Sequence, residues 1–174
     1  MASNRDKRRY AFQAIFQFDA LVPQVGEQAS EQVESWLRET AGLGQTDREE
    51  IFNLAKAAFD ARRTADSEFA TLAPTWPAHR QPAVDRAILR LAYFELTRPG
   101  GIEKGRMIIN DAIELTKEYS TDRSPSFVNG LLDKVFKRLG GTREKQSSKT
   151  GVTDKVVAQA LAADDLPATD LPTV

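Results

Sequence analysis

Six runs of apolar residues, spaced three and four apart and separated by proline and glycine, set an all-α fold as the expectation for this chain. The first run, over residues 6–21, aligns Ala11, Ile15, Phe18 and Val22 before Pro23 and Gly26 end it. The second, over 27–40, groups Val33, Trp36 and Leu37 ahead of Gly42 and Gly44. Thr46 and Glu49 then have capping-box spacing, which predicts the start of one long helix carrying Ile51, Leu54, Ala55, Ala58, Ala65, Phe69 and Leu72. Pro74, Pro77 and Pro82 break the next linker. The fourth run opens near Pro82, turns Val84, Ala87, Ile88 and Leu91 inward, and stops before Pro99. The fifth, over 104–119, buries Ile109, Ala112, Ile113 and Thr116. In the sixth, Ser124 reads as an N-cap followed by Pro125, and Val128, Leu131, Leu132, Val135 and Leu139 share a face up to Gly140 and Gly141. No run keeps the alternation of a strand.

Composition changes after Gly141. Residues 142–174 are polar and hold no aromatic side chain, so 1–141 reads as one helical domain. The remainder reads as a disordered tail with one weak helical patch at 154–163. Several classes of function fall away. No apolar stretch approaches the roughly 20 residues of a membrane span. The chain has no cysteine, which excludes thiolate chemistry and fits a cytoplasmic setting. Its one histidine, His79, lies in the proline-broken linker, so no metal site is expected. Neither a phosphate-cradling glycine motif nor a nucleophile elbow is present. The expectation is a non-catalytic protein with no cofactor and no small-molecule substrate.

A net charge of −1 conceals a sharp asymmetry. Residues 1–10 carry Arg5, Lys7, Arg8 and Arg9 against Asp6 alone, a local charge of +3. Residues 27–72 carry ten acids and five bases. On the first helix Arg5, Arg9, Phe12 and Phe16 form a second strip, about 100–160° around from the buried one. Guanidinium groups neutralise phosphates and aromatic faces stack on unpaired bases, so the strip suits single-stranded RNA. It equally suits a second helix interface, with the arginines merely solvated. Phe127 borders the core stripe of the sixth helix and admits the same two readings. The turn before it offers Arg123, hydroxyls and a helix N-terminus that favours anions, although Ser124 could serve only as a cap. Asp85 and Arg86 open the fourth helix and point away from its stripe, where Asp85 suits the helix dipole. Glu95 falls on the inward face of that helix and calls for a hydrogen-bonded partner such as an arginine.

The second half of the chain resembles a known family. Residues 83–96 (AVDRAILRLAYFEL), 109–119 (INDAIELTKEY) and 120–134 (STDRSPSFVNGLLDK) are similar to the C-terminal half of NusB proteins. Arg8, Arg9, Ala11, Gln13, Ala14, Phe16 and Gln17 resemble that family's first helix, and the similarity covers about residues 5–139. The resemblance implies a NusB-like bundle of six to seven helices in two packed halves. It also implies binding to the boxA element of ribosomal RNA leader transcripts, jointly with NusE (ribosomal protein S10). The assembly would include other Nus factors and RNA polymerase and would suppress termination. The family's arginine-rich start maps to Arg5, Lys7, Arg8 and Arg9. Its first-helix aromatic maps to Phe16, its acidic residue at the start of the fourth helix to Asp85, and its sixth-helix aromatic to Phe127. With Phe12, Arg86, Arg123 and Ser124 these make up the expected RNA-binding set. A methyltransferase that shares the fold is not expected, since a cysteine nucleophile and a glycine-rich cofactor loop are both missing. A helical adaptor that binds only proteins is the alternative.

Overall fold

The computed structural model describes residues 1–21 and 27–142. Among these there are seven α-helices and no strand: α1 (Asn4–Ala20), α2 (Glu27–Glu39), α3 (Gln45–Asp60), α4 (Arg62–Leu72), α5 (Ala83–Thr97), α6 (Gly105–Tyr119) and α7 (Ser124–Arg138). A short 3-10 turn, Ala78–Arg80, sits in the linker before α5. Val22 of the expected first stripe and the tail from residue 143 lie outside the described residues.

Helix α5 is the centre of the molecule. Ala87, Ile88, Leu89, Leu91, Ala92 and Leu96 are all buried, so its apolar surface exceeds one stripe. It packs against α1, α3, α4, α6 and α7, and one continuous core results. Each leucine or isoleucine among these contributes roughly 1.5–3 kcal/mol when fully buried. Helix α1 lies across α3 and α5, while α6 and α7 form an antiparallel hairpin against α5. That hairpin closes tightly, because a Cβ at Gly105 or Gly141 would collide with the buried Phe136 ring. Gly140 takes a left-handed φ of 87° and Gly141 donates to the Phe136 carbonyl at 2.9 Å, which ends α7 in a Schellman turn.

Several local expectations change. The long third helix is two: at Ala61 (φ −81°, ψ 0°) the chain turns. Ile51, Ala55 and Ala58 are buried on α3, which packs on α1, α2 and α5; Ala65 and Phe69 are buried on α4, which packs on α5 and α7. Neither glycine nor proline marks the break. Thr46 does not cap α3, because Gly44 holds the N-cap position and no side chain bonds there. Asp47 in that first turn instead accepts from the Ala2 amide at 2.8 Å and pairs with Lys7 at 3.1 Å. Helix α1 starts earlier than expected, in a capping box of Ser3 and Asp6. Arg123, not Ser124, is the N-cap of α7. Leu139 is its C-cap, 40% exposed, rather than part of the inner face.

Candidate nucleic-acid interface

Two ionic clusters fix how α1 lies on the bundle. Near its start, Arg8 donates to both carboxylate oxygens of Glu95 on α5, at 2.8 and 2.9 Å, and to Asp111 on α6 at 2.6 Å. The inward carboxylate of Glu95 thus has the arginine its position called for. Near the end of α1, Asp19 accepts from Arg86 and, at 2.8 Å, from Arg90. Arg90 also pairs with Asp66 of α4, at 2.9 and 2.7 Å. Burial pushes the Asp19 carboxyl up, but the hydrogen bonds from Arg90 and Arg86 outweigh it and hold the group below the usual carboxylate range.

These contacts orient the helix. Arg8 meets Asp111 and Phe12 meets Tyr119, so α1 and α6 run the same way; Arg8 meets Glu95 and Asp19 meets Arg86, so α5 runs oppositely. One turn past Phe12, Phe16 is therefore level with the α6–α7 turn and the first turns of α5 and α7. At this end of the bundle the ring is 40% exposed.

Six of the eleven expected residues are buried or held by structural partners, and four of these, Arg8, Phe12, Asp85 and Ser124, are buried. Arg8 is 7% exposed and saturated by its two carboxylates. Phe12 is 2% exposed, its ring 5.1 Å from Tyr119, so the strip on α1 is partly a second helix interface. Asp85 points inward, not away: it is buried, with Oδ1 unpartnered. Ser124 is buried, its hydroxyl 3.1 Å from that of Ser120 and 2.8 Å from that of Thr121. Lys7 is held by Asp47 and Glu50. Arg86 pairs with Asp19 and donates to the Ala78 and Gln81 carbonyls at 2.9 and 3.2 Å, which fastens the linker before α5.

The other five are accessible. Arg5 is exposed and holds no ion pair among the described residues. Arg9 lies 3.0 Å from Asp6 and 4.9 Å over the Tyr10 ring, with a third of its side chain exposed. Arg123 is exposed at the head of α7. Phe127 is half-buried, 6.4 Å edge-on to Trp76. With Phe16 they supply cations and ring faces along α1 and across to α7. Trp76, edge-on to Phe127, and Arg80, above the indole, did not stand out in the sequence; an arginine four residues after a tryptophan in a linker without acids was the available signal.

The chain matches the NusB family model over residues 5–137. It is 37% identical over 145 residues to the transcription antitermination protein NusB of Streptomyces griseus subsp. griseus, covering 80% of this chain and 94% of the relative. The solved structure of T. maritima NusB matches with a TM-score of 0.64 at 28% identity, over 78% of this chain and 92% of that one. A structure of the antitermination factors NusB and NusE in complex with dsRNA matches with a TM-score of 0.63 at 23% identity, over 77% and 96%. No helix among the described residues is long and apolar enough to cross a membrane. On the match of family model, relative and fold, this chain belongs to the NusB family of transcription antitermination proteins.

Proposed function

We propose that the chain binds single-stranded, boxA-type RNA in ribosomal RNA leader transcripts, in the cytoplasm. It does so jointly with NusE (ribosomal protein S10) and, with other Nus factors and RNA polymerase, suppresses termination. The observation that carries this reading is Phe16: a large ring left 40% exposed, on the helix whose first turn presents the unpaired Arg5. Single-strand binders combine such ring faces with cations along the backbone path. Arg5, Arg9 and Arg123 supply the phosphate contacts, and Phe16 and Phe127 the stacking faces. The neighbour solved with NusE and dsRNA supports NusE and RNA as the classes of partner. The reading favours an unpaired strand, since a ring face is of no use to a base already stacked in a duplex.

Titration of a labelled boxA RNA, alone and with NusE present, tests the proposal. Specific binding that NusE tightens is expected, with the same sequence as a duplex binding more weakly. Binding to NusE without any measurable RNA affinity would make the chain a protein adaptor.

A further inference from the structure

Resting on that RNA-binding reading, we propose that the proline-broken linker between α4 and α5 is a further base-binding platform. On it Trp76 and Arg80 receive a nucleotide next to the one at Phe127 on the same strand. Trp76 is half-buried, yet it belongs neither to the core nor to the apolar side chains packed against it. Its ring contacts are the Phe127 edge at 6.4 Å and the Arg80 guanidinium at 5.3 Å above the indole. A tryptophan kept out of the core and covered by an exposed cation with no carboxylate partner among the described residues is a stacking face in waiting: the guanidinium can turn to a phosphate while a base takes its place.

The surroundings suit an anionic strand. From Ala73 to Pro82 the linker contains His79 and Arg80 and no acid. Arg80 forms no ion pair among the described residues, nor does Lys134, whose Nζ lies 3.4 Å from the Leu72 carbonyl at the start of the linker. The platform is also held in shape. Gln81 donates to the Trp76 carbonyl at 3.1 Å, and Arg86 ties down the Ala78 and Gln81 carbonyls. Gln81 and Asp85, both buried, each keep one side-chain oxygen without a donor. Both oxygens are closed off from solvent, so stacking and charge, not hydrogen bonds to base edges, carry the platform.

Two RNA oligonucleotides decide the matter: a boxA-length strand, and the same strand extended by three uridines at either end. One extension should raise wild-type affinity at least about fivefold, the low end for one stacked base. Trp76→Ala should abolish that gain and Arg80→Gln should reduce it, with the short strand bound as before. In a Trp36→Phe background Trp76 is the sole indole, and its emission should be quenched by the extended strand only. If the short strand binds and the extension gain survives Trp76→Ala, the platform is refuted while the RNA reading stands. A Trp76→Ala protein that keeps its RNA affinities but binds NusE less well would assign the surface to protein. Failure of both strands to bind wild type, with NusE present, removes both readings, whereas binding of the short strand with no gain from either extension removes the platform alone.

Discussion

Replacing Arg8 by methionine separates folding from RNA binding at the residue where the two readings conflict most. Methionine keeps much of the apolar stem and removes the guanidinium, leaving Glu95 and Asp111 facing each other without a cation. Their side chains are 13% and 19% exposed and that of Arg8 is 8% exposed, so the three charge-assisted bonds lie largely out of water. Removing one partner of a buried pair costs about 3–5 kcal/mol, and the residual exposure places this case near the lower end. At an m-value of about 1.5 kcal/mol/M, the urea midpoint should fall by roughly 2 M. Changing Arg8, Glu95 and Asp111 together to apolar residues should recover most of that loss. In RNA titrations of the folded protein, the slope of log affinity against log salt should stay at the wild-type value. A loss below about 0.5 kcal/mol, joined to a slope flatter by the roughly 0.7 expected for one phosphate contact on a single strand, would show that Arg8 leaves its carboxylates for the RNA.

Three further outcomes follow from the same geometry. Arg5→Gln should leave the melting temperature nearly unchanged and flatten the salt slope by about 0.7, as measured by titration at several salt concentrations. Phe12→Ala should cost about 3–5 kcal/mol of stability, whereas Phe16→Ala should cost little stability and about 1–3 kcal/mol of RNA affinity; unfolding and binding measured on both variants check the pair, and the opposite ranking defeats the assignment. Because Asp19 has a folded pKa below its unfolded value, its stabilising contribution is present above about pH 4 and lost as pH falls through the folded value. Asp19→Asn should therefore flatten the acid limb of a stability–pH curve, read by urea unfolding at successive pH values.

The helices were legible because each buries a face whose period shows in the residues themselves. The break at Ala61 was not, since α3 and α4 divide one apolar stripe between different neighbours and no residue type marks the division. The start of α1 could have been read from Ser3 and Asp6, which have capping spacing. At the site, Phe16 stood out by falling off the buried stripe. Phe12 misled because α1 packs on more than one side, so a second strip also enters the core. Arg8 misled for another reason: its partners lie 87 and 103 residues away, and a local cluster of bases gives no sign of which member will be claimed by a distant carboxylate. Glu95 shows the complement, since its need for a partner was readable and the partner's identity was not.

The fastening of α1 at Arg8 and at Asp19 has a consequence for the entropy of binding. The two anchors are eleven residues apart, about 16 Å along the axis, and Phe16 lies between them. Amide hydrogens in that stretch should exchange only when the domain opens as a whole, because no fraying of one end releases the other. An RNA strand meeting the exposed ring thus meets a backbone that is already ordered, and little of the interaction is spent on immobilising the protein. The ordering cost falls instead on the nucleic acid. Affinity should then vary more with the stiffness of the strand, and with any structure it must give up, than with changes that loosen or tighten this helix.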